Sequence, residues 1–342
     1  MSTFPYQWTL ADGYPAPGVP HHGTTVFSTF ACGGGSTMGY KLAGYDVIGC
    51  NEIDPQMMAI YRANHRPKLS YREDIRSFLL RDDLPEELYQ LDILDGSPPC
   101  SVFSTAGKRE EDWGKEKVFR EGQVEQRLDD LFFSLIALAK RLQPKVFLAE
   151  NVHGMLLGHA KGYLLEIKER LRDAGYRLQL FHLNAASMGV PQMRERVFFI
   201  GHRLDLDVLP LRLTFREPMI PFHQVSDPPY PAIPAKLTPG PKALEYWQVT
   251  GEGQAVGKFG SDKKVSRNRP CFTIRSGNRH YHYREPRFLS DREIVRCGSF
   301  PTDYHFLDAD VNYVVGMSVP PVMMAQIAYQ VYVQWFSHIG GV

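Results

Sequence analysis

Short apolar runs alternate with segments of helical periodicity along the first two hundred residues. Residues 25–30 (TVFSTF) and 46–50 (DVIGC) are rich in β-forming side chains, while residues 91–94 and 146–149 are apolar runs of the length of buried strands. Apolar positions with helical spacing are clearest on one face of residues 128–142. This alternation of buried strands and helices predicts an α/β fold.

The pattern changes at about residue 204. Prolines become frequent and regular periodicity disappears, which is typical of a smaller, loop-rich lobe. Residues 318–336 are again strongly apolar and helical after two prolines, so we expect them to pack on the main core. The predicted division is an irregular N-terminal extension (1–23), a main α/β domain (24–203), a loop-rich lobe (204–300) and a returning C-terminal segment (301–342).

A glycine-rich stretch, residues 31–39, lies between the first predicted strand and a helix. Glu52 follows the second strand, about 20 residues after the start of the loop, where a carboxylate binds the hydroxyls of a ribose. This layout predicts a nucleoside-type cofactor. Asp74, at the tip of the third strand, either reaches an adenine or caps a helix over residues 76–80.

Cys100 follows a rigid turn at the carboxyl end of the strand over residues 91–94. Because Pro98 and Pro99 have fixed φ angles, the direction of the thiol is set by the backbone. The cysteine is either a nucleophile at the catalytic edge of the sheet or a small buried hydrophobe. Residues 101–127 are too long and polar for an ordinary connection, which predicts a functional lid or a disordered segment.

Two further groups of polar side chains accompany later strands. Glu150 ends the apolar run 146–149, a position that calls for a chemical explanation. Gln192, Arg194 and Arg196 alternate with other residues, so in an extended chain they share one face. They indicate an anionic or base-like substrate, or else a solvated strand edge.

Composition argues against several classes of protein. The formal net charge is +1 and the five cysteines include no CxxC pair, which argues against a disulfide framework and a cysteine-based zinc site. We expect no metal. A signal peptide is not evident, and no apolar run approaches the roughly 18 residues of a membrane span. These features predict a soluble, cytoplasmic protein that does not bind membranes.

The near-neutral total charge hides a basic segment, residues 258–296. It contains eleven Lys and Arg residues against four Asp and Glu residues, a local charge of +7, and it includes aromatic side chains. That mixture favours a phosphate-contacting surface, with Arg275 and Arg279 as candidates, over a solvated face.

Six blocks of the sequence, in order, resemble the C5-cytosine DNA methyltransferase family. They are residues 30–35 (FACGGG), 51–55 (NEIDP), 99–100 (PC), 150–152 (ENV), 192–196 (QMRER) and 316–321 (GMSVPP). The resemblance covers nearly the whole chain except residues 1–23 and much of 204–268. It implies a Rossmann-like methyltransferase fold with a mixed, mostly parallel sheet and a small, loop-rich target-recognition domain.

The resemblance also implies a mechanism. Cys100 would attack C6 of a flipped-out cytosine, and Glu150 would contact N3 and the exocyclic amine. Arg194 would hold the O2 atom of the base while Arg196 supports the site. Residues 101–127 would close over the base.

The cofactor implied by the resemblance is S-adenosyl-L-methionine. Its binding residues by the same resemblance are Phe30 on the adenine, Glu52 on the ribose, Asp74 on the adenine amine, Ile53 and Ile75 beside them, and Gly34, Gly35 and Ser318 at the methionine end. Gln192, Arg275 and Arg279 would contact double-stranded DNA, with a cognate restriction endonuclease as a second partner of a monomeric enzyme. Two residues depart from the family pattern, Cys32 in the glycine loop and Met317 before Ser318.

Three other functions stay open at this point. The same fold methylates cytosine in RNA, such as a tRNA loop. A nicotinamide-dependent oxidoreductase would use the glycine loop and Glu52, but it would leave Cys100 and Glu150 unexplained. A non-catalytic DNA-binding module would explain only the basic segment.

Overall fold

A seven-stranded sheet forms the centre of the protein. The computed structural model describes residues 4–99, 116–117, 126–127, 130–156, 160–257 and 261–339. The strands are β1 (Thr25–Thr29), β2 (Asp46–Asn51), β3 (Leu69–Tyr71), β4 (Ile93–Gly96), β7 (Val146–Val152), β8 (Tyr176–Asn184) and β9 (Glu195–Arg203), besides a two-residue pair, β5 (Glu116–Lys117) and β6 (Gln126–Arg127). The central order is β3-β2-β1-β4-β7-β9-β8.

Five neighbouring strands of this sheet, from β3 to β7, pair in parallel, whereas β9 is antiparallel to both β7 and β8. The predicted mixed, mostly parallel α/β fold is therefore confirmed. The carboxyl ends of β1, β2, β4 and β7 meet at one edge, which is where the polar residues singled out in the sequence follow their strands.

Helices cover both faces of the sheet. The α-helices of the described residues are α1 (Gly35–Leu42), α2 (Pro55–His65), α3 (Ile75–Leu79), α4 (Leu131–Leu142), α5 (Ala160–Asp173), α6 (Pro241–Val249), α7 (Asp291–Cys297), α8 (Val311–Met317), α9 (Pro321–Val331) and α10 (Ser337–Ile339). Adjacent residues of one strand enter different cores: Val26 and Ile93 pack on one face, whereas Phe27 and Leu94 pack on the other. Burial on both faces explains the continuous apolar runs in the sequence.

The C-terminal segment returns to the main core, as its sequence predicts. Helix α9 crosses α1 so closely that a Cβ atom on Gly39 would lie 2.4 Å from Met324 Cβ and 2.6 Å from the Pro321 carbonyl oxygen. Among the described residues, the stretch Val311–Ile339 has the length and apolarity of a membrane span, but 83% of its apolar window is buried inside the protein. Such burial is typical of a core helix.

The N-terminal segment is irregular, as expected, but it is firmly packed. Trp8 donates from its indole nitrogen to the Ser299 carbonyl oxygen at 3.0 Å, and Phe4 is 1% exposed. The backbone nitrogen of Leu10 donates to the Asp303 carboxylate at 2.6 Å. These contacts join the beginning of the chain to its last hundred residues.

The loop-rich lobe is held together by buried charge. Arg287 is fully buried and donates two hydrogen bonds of 2.8 Å to the Glu293 carboxylate and a third of 3.0 Å to Glu285. Lys264 donates from Nζ to the carbonyl oxygens of Trp247 and Thr250 at 3.2 and 3.0 Å. Part of the local +7 charge is therefore used inside the lobe, so the basic surface is smaller than residue counting predicts.

Candidate active site and cofactor cleft

A cleft of about 810 Å³, including its open mouth, lies at the carboxyl ends of β1, β2 and β4. Its lining combines an aromatic ring, aliphatic side chains and carboxylates: Phe30, Cys32, Asn51, Glu52, Ile53, Asp54, Met57, Glu73, Asp74, Ile75, Ser97, Pro99, Leu131, Tyr313 and Met317. Five of the eight residues that the sequence assigned to the cofactor, namely Phe30, Glu52, Ile53, Asp74 and Ile75, are therefore brought together here.

Glu52 is fixed at the end of β2 by the backbone around it. Its carboxylate accepts hydrogen bonds from the Cys32 nitrogen at 2.7 Å and the Asp54 nitrogen at 2.8 Å. Burial raises the pKa of Glu52, while these backbone hydrogen bonds oppose that shift. Since each carboxylate oxygen has a second lone pair, the group still has capacity for two hydroxyl donors.

For Asp74 the structure shows the predicted helix cap, whereas the contact with an adenine stays a prediction. Asp74 caps α3, accepting from the Arg76 nitrogen at 2.7 Å, and it also lines the cleft. Phe30 stands nearby with a φ of 51°, a left-handed conformation that is unusual for a bulky residue. Strain of this kind persists where the surrounding structure fixes it, commonly at ligand sites.

The glycine loop is packed too tightly for side chains. A Cβ atom on Gly34 would lie 2.1 Å from Nε2 of His65, and one on Gly35 would lie 2.2 Å from the Val319 carbonyl oxygen and 2.9 Å from Ser318 Cβ. Gly35 and Ser318 are thus neighbours, and their contact with the methionine end of the cofactor stays a prediction. These three predicted residues (Gly34, Gly35 and Ser318) are outside the lining of the cleft, while Met317, next in the chain to Ser318, is part of it.

The turn before Cys100 is anchored from β7. Asn151 donates from its amide nitrogen to the Pro98 carbonyl oxygen at 3.1 Å, and Pro99 lines the cleft. Cys100 itself and the predicted closing loop, apart from residues 116–117 and 126–127, lie outside the described residues. The hydrogen bond from Asn151 joins the turn at the end of β4 to the end of β7.

Glu150 forms an ion pair with Arg196 at that same edge. The Arg196 Nε atom lies 2.7 Å from Oε1 of Glu150, and the two side chains are only 13% and 11% exposed. Their positions follow from register, because β9 pairs with β7 so that Val152 is opposite Arg196 and Glu150 is opposite Phe198. The sequence alone had not paired these two residues.

Arg194 and Gln192 instead tie the sheet to the rest of the chain. Arg194 is 2% exposed and donates to the carbonyl oxygens of Ile274 and Gly316 at 2.8 and 2.9 Å. Gln192 is 1% exposed and bonds the backbone of Ile274 and Cys297. Because its side chain is buried, Gln192 cannot make the predicted contact with DNA. The alternative prediction of a solvated strand edge is wrong, since both Gln192 and Arg194 are buried.

These geometric features agree with comparisons to known proteins. Residues 24–238 match the family described as C-5 cytosine-specific DNA methylase. The chain belongs to this family. It is 30% identical over 330 residues to the type II methyltransferase M.FnuDI of Fusobacterium nucleatum, spanning 86% of this chain and 90% of that protein. It is 29% identical over 342 residues to M.NgoPII of Neisseria gonorrhoeae, spanning 89% and 94%.

A likeness in fold accompanies the family match. The methyltransferase superposes with a TM-score of 0.71 on a solved Escherichia coli protein described as a prophage-encoded DNA modification methyltransferase, over 91% of this chain and 99% of that one, at 21% identity. The protein is therefore a DNA cytosine-5-methyltransferase with the Rossmann-like fold of its family.

The methyltransferase contains a buried acid that the sequence reading overlooked. Asp95 of β4 is 1% exposed; it accepts hydrogen bonds from the Ser28 hydroxyl at 2.8 Å and the Tyr40 hydroxyl at 3.2 Å. Burial raises its pKa to about 7. A second carboxylate at the end of the short strand sequence LDILD was the signal that could have revealed it.

Two other details bear on the methyltransferase site. Burial, together with the charge of Glu52, raises the pKa of Cys32 to about 12, so this thiol stays protonated and does not act as a second nucleophile. Of the two predicted DNA-binding arginines, Arg279 is exposed, with its guanidinium 4.3 Å from the Phe288 ring centre. Arg275 is half-buried and donates to the Ser261 carbonyl oxygen at 3.3 Å.

Proposed function

We propose that this methyltransferase takes its methyl group from S-adenosyl-L-methionine and transfers it to C5 of a flipped-out cytosine in duplex DNA. Transfer would pass through a covalent bond between Cys100 Sγ and C6 of the base. The observation that carries the proposal is the arrangement at one sheet edge, where the anchored Pro98–Pro99 turn and the Glu150–Arg196 pair lie beside the Glu52 cleft.

Cys100 and Glu150 would act directly on the cytosine ring. Bond formation between the Cys100 thiolate and C6 moves the electron pair of the 5,6 double bond to C5, which becomes nucleophilic. Glu150 hydrogen-bonds N3 and the exocyclic amine, where charge changes during attack. After methylation, solvent water takes the proton on C5, and the electron pair of that C–H bond restores the 5,6 double bond as the thiolate departs from C6.

Arg196 is the better candidate for the O2 atom of the base. The family resemblance implies Arg194 for O2, but each Nη atom of Arg194 already donates to a backbone carbonyl oxygen, and the side chain is buried. Arg196 contacts Glu150 through Nε, so both residues can face the same base. Arg194 then supports the site, because its hydrogen bonds to Ile274 and Gly316 join the loop-rich lobe and α8 to the sheet.

The cleft fits the proposed methyl donor. When bound, S-adenosyl-L-methionine supplies an electrophilic methyl group on sulfur. Phe30 would stack on the adenine, the remaining lone pairs of Glu52 would accept from the ribose hydroxyls, and Asp74 would accept from the adenine amine. Gly34, Gly35 and Ser318 would shape the methionine end, and Ile53 and Ile75 would flank the adenine.

DNA recognition would fall to the loop-rich lobe, with Arg279 as its exposed phosphate contact and Arg275 beside it. Extruding the target base costs about a few kcal/mol of unstacking, which phosphate contacts of this kind help to offset. We also propose a cytoplasmic, monomeric enzyme with a restriction endonuclease acting at the same DNA site, and the type II names of the relatives support the endonuclease.

The deciding experiment measures transfer of radiolabelled methyl groups to unmethylated genomic DNA and, in parallel, to tRNA. We expect 5-methylcytosine in DNA, no transfer by Cys100→Ser with DNA binding retained, and transfer slowed about 10²–10⁴-fold by Glu150→Gln. Donor binding should stay near the wild-type level in both variants. Label in tRNA but not in DNA would refute the DNA assignment, and an active Cys100→Ser variant would refute the covalent mechanism.

A duplex carrying 5-fluorocytosine at the mapped target site tests the adduct directly. Because fluorine on C5 cannot leave as a proton, the Sγ–C6 bond would persist and join protein to DNA. The wild-type enzyme should give this conjugate in the presence of the donor, and Cys100→Ser should not.

A further inference from the structure

Three potential metal ligands converge on the sheet face opposite the Glu150–Arg196 pair. His153 follows β7, His182 lies within β8, and Glu195 begins β9. One ligand atom from each, an imidazole nitrogen or a carboxylate oxygen, lies within 4.8 Å of the other two. The proposed methyl transfer uses none of the three side chains.

The register of the sheet brings these residues together. His182 pairs with Val197 across the β8–β9 ladder, and Glu195 is two residues before Val197 on the same face. Arg196, which lies between Glu195 and Val197, faces the other side of the sheet and contacts Glu150. His153, immediately after β7, then stacks its ring on that of His182, with ring centres 4.2 Å apart and planes inclined by 27°.

The interactions present do not satisfy this cluster. Nδ1 of His153 is buried and has no hydrogen-bond partner among the described residues. Nε2 of His182 lies 3.5 Å from Oε2 of Glu195, too far for a good hydrogen bond. A buried, unpaired nitrogen is costly, and a bound cation is one of the ways in which proteins satisfy it.

We propose that His153, His182 and Glu195 bind a divalent transition metal ion of the zinc class. Two imidazole nitrogens and one carboxylate oxygen are a ligand set used for zinc, and imidazole disfavours Mg²⁺ and Ca²⁺. With metal–ligand bonds of about 2.1 Å, tetrahedral ligand atoms lie roughly 3.4 Å apart. The three atoms need to move together by about 1 Å, and rotation of the partly exposed His182 and Glu195 side chains can supply that movement.

Such an ion would restrain the beginning of β9 and the turn after β7. Because Glu195 is the chain neighbour of Arg196, an occupied site holds the strand end that carries the partner of Glu150. The ion takes no part in the proposed methyl transfer. The inference therefore stands or falls separately from the proposed function.

Zinc binding by the purified full-length chain, freed of metal with a chelator, tests the proposal. All proteins carry Cys100→Ser, which removes the thiol of the predicted nucleophile as a competing ligand. Calorimetric titration with Zn²⁺ should show one site of micromolar or tighter affinity. His182→Ala and Glu195→Gln should each weaken it by at least about tenfold.

His21→Ala is the matched control. His21 forms an exposed pair with Asp46 at 2.8 Å, like the pair of His182 and Glu195 but without a second histidine stacked on it. This variant should bind Zn²⁺ as the parent does. Zinc should also raise the melting temperature of the parent and of His21→Ala, but not of His182→Ala.

Two results would overturn the proposal: a parent protein that does not bind Zn²⁺, or equal binding by His182→Ala and His21→Ala. Glu195→Gln keeps the size of the side chain, so it serves as the decisive variant if His182→Ala folds poorly. Circular dichroism in chelator confirms that each variant is folded. Co²⁺ in place of Zn²⁺ should give a visible absorption band that the ligand variants lack.

Discussion

Replacing Asp95 with asparagine should remove a large part of the pH dependence of stability. Burial raises the pKa of Asp95 from 3.8 to about 7. Between pH 3.8 and about pH 7 the folded protein keeps a proton on Asp95 that the unfolded chain releases. The contribution of Asp95 to the unfolding free energy is therefore complete below about pH 4 and is lost as the pH rises to 7. The total is about 3 pKa units, or roughly 4 kcal/mol.

The loss of unfolding free energy through Asp95 is large enough to measure between pH 5 and pH 8. From pH 5 to pH 8 the wild-type protein should lose about 2.5 kcal/mol of unfolding free energy through Asp95 alone, because about two of the pKa units fall in that interval. The asparagine side chain would carry no charge; its single amide oxygen could accept from one of the hydroxyls of Ser28 and Tyr40, and its NH2 group could donate to the oxygen of the other. The difference in stability between variant and wild type should therefore grow in favour of Asp95→Asn as the pH rises.

Urea unfolding at pH 5, 6, 7 and 8, followed by circular dichroism, measures this difference. Asp308→Asn is the matched control, since it makes the same chemical change at an exposed position. The control should differ from wild type by a nearly constant amount across the series. If the Asp95→Asn difference is equally flat, within about 0.5 kcal/mol, the buried carboxylate is not the source and the reasoning fails.

Three other substitutions test separate parts of the structure. Arg287→Met should cost about 3–5 kcal/mol in urea unfolding because it leaves buried Glu293 without its partner, and a cost below about 1 kcal/mol would contradict this account. Gly35→Ala should lower stability by about 1–3 kcal/mol, since its Cβ would lie 2.2 Å from the Val319 carbonyl oxygen; an unchanged melting curve would show that the loop adjusts. Arg279→Gln should weaken DNA binding and reduce the slope of log affinity against log salt by about one, whereas an unchanged slope would mean that this arginine does not contact phosphate.

The cofactor edge was largely predictable because its residues are close to one another along the chain. Glu52 comes directly after β2, and a strand, a glycine loop and a second strand place its carboxylate wherever this crossover folds. Asp74 was predicted either as a helix cap or as an adenine contact; the structure shows the cap and places Asp74 in the lining of the cleft, and the adenine contact stays a prediction.

The division of work between Arg194 and Arg196 was not predictable in the same way. Alternation along the sequence predicted both side chains on one face. In the structure the chain before β9 contacts the loop-rich lobe, and Arg194 donates to backbone carbonyl oxygens 80 and 122 residues away. The basic segment was similarly overestimated, because sequence counting cannot tell an exposed Arg279 from a buried Arg287.

The sequence by itself determined the α/β fold, the family, the cleft carboxylates and the strand end that carries Glu150. These depend on periodicity and on short motifs, which are local properties of the chain. Only the tertiary structure decided that Arg196 pairs with Glu150, that Asp95 is sealed beneath the site and that His153, His182 and Glu195 meet. The physical reason is that strand register and side-chain burial depend on contacts between residues far apart in the chain, and no spacing along the sequence records them.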